Sequence, residues 1–270
     1  MKHILFISYD GMTDPLGQSQ VIPYLKGLTT YGYRFTILSC EKKEPYQKNK
    51  HLITESLKFL PIEWVPIKYH KNPPVLSAVY DLHMLKKKAA LLHNADPFDM
   101  VHTRAGTPAL VGQWMKRKFG IKFLNDIRDF FADSRVDSGS WNKKNLLYNM
   151  VYQYFKKKEE EQLTENDGVV CLTHAAESII KQNMHLKSGT PVEVIPCSVD
   201  TELFNPERVN ESYRRELKSK LGIHEDDFIV SYLGSVGGWY LTDEMMRFFK
   251  LLISRVSNAR FLFITPHGHD

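Results

Sequence analysis

Short apolar runs recur along the chain at residues 4–8, 34–40, 62–67, 100–103, 121–124, 168–172 and 192–195, each parted from the next by a longer stretch. A continuous run this short marks a strand covered on both faces. Most of the intervening stretches carry helical spacing, such as Val21, Leu25 and Leu28 on one face of residues 18–31. Strands that alternate with helices build a parallel sheet with helices on its faces. The pattern therefore predicts a doubly wound α/β fold.

The turn chemistry refines this reading. The first strand leads into the loop Tyr9-Asp10-Gly11-Met12-Thr13-Asp14-Pro15-Leu16-Gly17. Gly-x-Gly-x-x-Gly is absent, so this is not a dinucleotide fingerprint. Gly17 stands just before a helix, where a backbone can approach a phosphate at the helix N-terminus. The alternative is a glycine at a helix start with no ligand. Pro66 interrupts the third strand and predicts a place near the sheet edge. Residues 75–93 read as a long helix whose Lys86, Lys87 and Lys88 form a solvated face, or rest on anionic headgroups. Thr107 and Pro108 open the next helix as cap and first residue. Asn142 is expected to cap a helix over 143–164, whose run Lys156 to Glu161 sets lysines and glutamates three or four apart and reads as a solvated surface. Thr173 caps a helix over 174–184, with Glu177 completing a capping box.

The densest polar signal follows the fifth run. Asp126, Arg128, Asp129, Asp133 and Arg135 arrive within ten residues of a buried strand. In open parallel sheets, ligands bind beyond the carboxyl ends of the strands. Arginine offers a planar fork for phosphate or carboxylate, and aspartate accepts from sugar hydroxyls or orients the arginine. The competing reading is a structural ion-pair knot. Arg104 ends the preceding strand, so Arg104 and Arg128 are expected to flank one crevice. His174 stands where a strand passes into a helix, a position that suits a site as well as a structural role.

A domain boundary is expected near residue 200, after the two-proline segment begins, giving domains over 1–200 and 201–270. The second part restarts the strand–glycine loop–helix–strand pattern and then stops. About 60 residues are few for an independent doubly wound domain, so the sequence looks cut short. Residues 1–210 carry 28 Lys/Arg against 23 Asp/Glu, which accounts for the whole net charge of +5. That mild excess fits anionic ligands or a membrane surface better than a nucleic-acid groove. Cys40, Cys171 and Cys197 have neither disulfide nor metal spacing and read as buried thiols. The first residues do not form a signal peptide. No stretch approaches the ~20 apolar residues of a membrane span. A cytoplasmic protein is expected, with contact at the inner face of the membrane as an option.

Several stretches, in order, resemble retaining glycosyltransferases of family 4. They are Leu16-Gly17-Gln18-Ser19-Gln20-Val21, then Asp126 to Val136, then the strand and helix over 170–180. Val194-Ile195-Pro196-Cys197-Ser198-Val199-Asp200 is similar to the family's interdomain hinge. Leu233-Gly234-Ser235-Val236-Gly237-Gly238 resembles its donor-side loop. The resemblance spans nearly the whole chain. It implies a GT-B fold, with a Rossmann-like acceptor-side domain and an incomplete second Rossmann-like domain. It implies sugar transfer with retention from a nucleotide sugar to a carbohydrate or lipid-linked acceptor, as in surface polysaccharide or glycoconjugate synthesis. No metal or other cofactor is implied. Asp126 and Arg128 would be catalytic. Gly17, Gln18, Arg104, Asp129, Arg135 and His174 would bind substrate, and Gly234, Gly237 and Gly238 would form the donor-phosphate loop. The sequence departs from the family in having no His after the Asp126 strand. The family's diphosphate-binding Arg/Lys pair and its two spaced glutamates would fall beyond Asp270. This chain alone is therefore expected to be inactive or weak. Two rivals stand beside this reading: a nucleotide-sugar epimerase of the same fold, and a non-catalytic module that binds an acceptor or a partner. A dinucleotide dehydrogenase is disfavoured by the missing glycine fingerprint.

Overall fold

A computed structural model describes residues 1–104, 106–237 and 240–265. The chain divides into two units, Met1–Ser198 and Val199–Asp270.

The first unit is built on seven parallel strands: β1 (Lys2–Ser8), β2 (Tyr33–Glu41), β3 (Ile62–Lys68), β4 (Met100–Arg104), β5 (Lys122–Ile127), β6 (Gly168–Cys171) and β7 (Val192–Val194). Their order across the sheet is β3-β2-β1-β4-β5-β6-β7. The chain winds outward from β1 to β3, then crosses back to place β4 on the other side of β1. β3 is the edge strand, so its Pro66 costs no ladder hydrogen bond on the open side.

The helices are α1 (Ile22–Thr29), α2 (Lys43–Leu57), α3 (Leu76–Ala95), α4 (Thr107–Phe119), α5 (Phe131–Asp137), α6 (Leu146–Glu165) and α7 (His174–Gln182). Strand alternation sorts the core into two faces. Ile4, Phe6, Phe35 and Ile37 pack with Ile22 and Leu25 of α1 and Ile53 and Leu57 of α2. Leu5, Ile7, Leu38, Val101 and Phe123 pack with Leu85 and Ala89 of α3 and Val111 and Met115 of α4. A third cluster joins Val169, Cys171 and Val192 to Leu163 of α6 and Ile180 of α7.

Several local expectations are corrected. The helix after the first loop opens with a π-helical turn, Gly17–Val21, before α1. Gly106, not Thr107, is the residue that precedes α4; its φ of 60° suits glycine. Asn145, not Asn142, caps α6, accepting from Leu147 N and Tyr148 N. Its predecessor α5 forms where only a charged loop was expected. Thr173 does cap α7 through Ala176 N, but Glu177 turns to His174 and Lys181 and completes no capping box. Lys86 is not simply solvated: it is half-buried over the Trp114 ring at 5.9 Å. Cys40 and Cys171 are buried as expected, whereas Cys197 is exposed.

The second unit contains α8 (Glu211–Lys220), β8 (Phe228–Leu233), α9 (Thr242–Ile253) and β9 (Ala259–Ile264), with β8 and β9 paired in parallel. The residue before α9 is Leu241, so Thr242 is not its cap. Leu233, Phe248 and Leu251 are more than half exposed. Two strands and two helices offer too little surface to bury such side chains.

The loop that follows β1 is closed by backbone contact at Gly17. A Cβ there would stand 2.3 Å from Gly11 O and 2.5 Å from Met12 Cα. Gly27 in α1 has open space around the same position. Gly17→Ala is therefore expected to destabilise the protein by about 1–3 kcal/mol through overpacking. Gly27→Ala is expected to leave stability unchanged or raise it by about 0.5–1 kcal/mol. Urea denaturation of the two variants checks the pair.

Candidate functional site at the strand switch point

The crevice of an open α/β sheet opens where successive strands diverge to opposite sides. Here that point lies between β1 and β4, whose ends Ser8 and Arg104 stand in register. Arg104 in turn registers with Asp126 of β5. Parallel register places both side chains on the α1 face of the sheet.

Arg104 is only 9% exposed. Its Nη2 donates to Gln20 Oε1 at 3.3 Å, and the exposed Cys197 Sγ donates to the same oxygen at 3.5 Å. A guanidinium carries five N–H donors, so most of the Arg104 fork has no side-chain acceptor among the described residues. Burial pulls its pKa down, and the like charge of Arg128 adds to the shift; Asp126 and Asp10 oppose it. Asp126 is 2% exposed. Arg128 Nε donates to its Oδ2 at 3.0 Å and lies 2.9 Å from Oδ1. His102 stands behind the pair, with Nε2 3.8 Å from Asp126 Oδ2 and its ring edge-on to Phe6. Its Nε2 is buried with no hydrogen-bond partner among the described residues. Tyr24 of α1 meets the His102 ring at 6.2 Å. Burial raises the Tyr24 pKa, with Asp126 contributing.

Arg128 is thus paired with Asp126, while Arg104 stands in register beside them and is held by Gln20. Electrostatic attraction in a partly desolvated crevice is stronger than in water. The arrangement can hold an anion with planar, forked oxygens.

The charged stretch after β5 does not act as one group. Strand alternation sends Asn125 and Ile127 to the opposite face, toward a second cavity that Asp129 and Asp133 also line. Asp129 accepts from Ser134 Oγ at 2.6 Å and holds the first turn of α5. Asp133 pairs with Lys156 Nζ and accepts from Tyr152 Oη, both at 2.9 Å. Arg135 is exposed and stacks on the Phe131 ring at 5.0 Å. The ion-pair reading describes both Asp133 with Lys156 and Asp126 with Arg128, and the second pair stands in register beside Arg104.

The remaining candidates are described by their own surroundings. Gln18 is exposed and donates to Thr13 O at 2.9 Å, bracing the loop. His174 lies on the surface at the start of α7, with Nδ1 3.0 Å from Glu177 Oε2. In the second unit, Gly237 N donates to Thr242 Oγ1 at 2.9 Å. A Cβ on Gly234 would meet the Tyr232 hydroxyl at 2.9 Å. Gly238 lies outside the described residues. No group of three His, Cys, Asp or Glu side chains is placed to hold a metal ion among the described residues. None of the described helices is long and apolar enough to cross a membrane.

Sequence reasoning missed Gln20, His102 and Glu41. Glu41 ends β2, 3% exposed, and organises the loop after β1. It accepts from Met12 N at 2.7 Å, Thr13 N at 3.2 Å, and the hydroxyls of Thr13 and Ser39 at 2.5 Å each. The signal was present: a carboxylate closing an apolar strand is as unusual as the guanidinium closing β4. Glu41→Gln would turn amide hydrogens toward some of these donors. A loss of roughly 2–3 kcal/mol is expected, the scale of a hydrogen bond to a charged group plus an unpaired donor. Thermal and urea unfolding measure it.

No family model matches this chain, and no curated protein does. Solved structures do. Sucrose-phosphate synthase from Thermosynechococcus elongatus aligns over 98% of this chain and 71% of its own, with 14% identity and a TM-score of 0.60. HepE from Anabaena, in complex with UDP and glucose, aligns over 98% of this chain and 70% of its own, with 13% identity and a TM-score of 0.60. A glycosyltransferase from Rickettsia africae aligns over 97% of this chain and 68% of its own, with 13% identity and a TM-score of 0.55. At such identities the likeness is one of fold, and the fold of this chain is the Rossmann-like GT-B fold of glycosyltransferases.

Proposed function

We propose that this chain is the acceptor-side part, with a stretch of the donor side, of a glycosyltransferase that uses a nucleotide sugar. The observation that carries the proposal is the group of buried Arg104 and Asp126 with half-buried Arg128 at the switch point of a GT-B-type sheet. Sugar transfer builds negative charge on the departing diphosphate and positive charge on the sugar. Preorganised cationic donors in a dry crevice lower that barrier, commonly as the largest catalytic contribution. In this reading Arg104 and Arg128 face the phosphates, and Asp126 fixes the Arg128 fork. Gln20 holds Arg104 from the other side. Transfer proceeds with retention, without a metal, to a carbohydrate or lipid-linked acceptor of surface polysaccharide or glycoconjugate synthesis. The surplus of lysine in residues 1–210 favours an acceptor presented at an anionic membrane. Asp129, Arg135 and His174, and the loop of Gly234, Gly237 and Gly238, have weaker support as contacts.

HepE was solved with UDP and glucose, so UDP-sugars are the first donors to try, with GDP- and ADP-sugars beside them. Calorimetry is expected to show binding of one donor. Arg104→Ala and Arg128→Ala should each weaken it by about 10–100-fold, or 1.4–2.8 kcal/mol. A donor that binds equally well to both variants would sink the role given to the two arginines. With a donor in hand, the anomeric configuration of the product, read by NMR, decides between retention and inversion.

A further inference from the structure

The face of the sheet opposite the two arginines carries a cavity of about 370 Å³, within the range of small-ligand pockets. It lies against the end of β5 and is closed by residues of α4, α5, α6 and α7. Phe131 and Phe155 form an aromatic wall, their ring centroids 4.8 Å apart. Trp141 packs on both from behind, at 5.7 and 5.6 Å.

Two carboxamides face this space. Asn125 is 4% exposed and Gln162 is 5% exposed. Among the described residues, the amide nitrogen of Asn125 has no acceptor, and its oxygen takes only a long 3.4 Å bond from Thr103 Oγ1. The Gln162 amide has no protein partner among them. Both residues line the cavity, so their free amide groups are open to it and can donate to and accept from a polar ligand there. Glu159 adds a third group. Its Oε1 accepts from Ala132 N at 3.0 Å, and Lys156 Nζ lies 3.4 Å from Oε2. Each oxygen retains a lone pair. Burial pushes the Glu159 carboxyl above the ordinary range, against the pull of Ala132 N–H and Lys156.

The charge of the lining excludes phosphate. Four carboxylates and two lysines border the cavity. Both lysines are already committed, Lys156 to Asp133 and Glu159 and Lys158 to Glu161. No arginine is present in the lining. The Phe131 and Phe155 rings are inclined at 53° to one another, and a phenyl face turned to the cavity suits the C–H face of a pyranose ring. Carboxamides that both donate and accept, with an accepting carboxylate, suit its hydroxyls.

We infer that this cavity is a binding site for a neutral sugar ring, held between the Phe131–Phe155 wall and the Asn125, Gln162 and Glu159 side chains. It is distinct from the arginine crevice and stands whether or not that crevice takes a nucleotide.

The test uses the full chain without nucleotide. Neutral methyl glycosides and disaccharides are titrated while tryptophan emission and calorimetric heat are followed. Glucose 6-phosphate serves as the anionic control. A saturable response to at least one neutral sugar is expected, with the emission change lost in Trp141→Phe. Gln162→Ala and Asn125→Ala should each weaken binding at least tenfold, and Arg104→Ala should leave it unchanged. Ile179 lines the cavity yet is 55% exposed. Ile179→Trp is thus a folded variant that fills the opening, and it should abolish binding even where an amide variant fails to fold. No saturation by any neutral sugar, a preference for the phosphorylated control, or binding untouched by Ile179→Trp would overturn the assignment.

Discussion

The pairing of β1 with β2 on one side and β4 on the other is the constraint on which the first unit depends. A strand at the centre of a fully parallel sheet has both edges paired and both faces covered. Ile4, Leu5, Phe6 and Ile7 are accordingly all buried. A polar side chain along such a strand must find a partner within the protein, as His3 does in Thr36 of β2. At the carboxyl ends the connections diverge, from β1 toward β2 and from β4 toward β5, and a crevice opens beyond Ser8 and Arg104. Arg104, Asp126 and Glu41 lie at the ends of neighbouring strands for the same reason.

That crevice has a rigid rim. Glu41 gathers two amides and two hydroxyls, and Asp14 receives Lys42 Nζ at 2.8 Å. Asn49 and Gln18 side chains both donate to Thr13 O. The loop closes on itself through Gly17, which is why a glycine is needed there even before any ligand is considered. A loop fixed in this way presents the start of the π-helical turn, and with it Gln20, at one position relative to Arg104. Preorganisation of this kind is what lets a charged fork act without reorganisation when charge develops.

Two chemistries emerge from a single strand end. Asp126 and Asn125 are adjacent in sequence and point to opposite faces of β5. One joins arginines that suit an anion; the other joins aromatic rings and a glutamine that suit a neutral, hydroxylated ring. The segregation follows from the two-residue period of a strand. It also places Glu159 and Gln162 of α6, on one helical face with Phe155 and Leu163, opposite Asn125.

The amino-acid sequence by itself determined the strand count of the first unit, its doubly wound class and the edge position of β3. Continuous apolar runs and a proline leave few alternatives. It also singled out Arg104, Asp126 and Arg128, because charge at the end of a buried strand is costly unless it has a use. It did not separate Asp129, Asp133 and Arg135 from them, and it read the Lys156–Glu161 run as a solvated face. Those distinctions depend on which element lies opposite: Lys156 is held by Asp133 of α5, and Glu159 turns inward to the Ala132 amide. Partners distant in the chain, such as Glu41 and Met12 or Gln20 and Arg104, leave no local pattern. Only tertiary structure decided them, because burial and hydrogen bonding are set by what the fold brings alongside, not by neighbours along the chain.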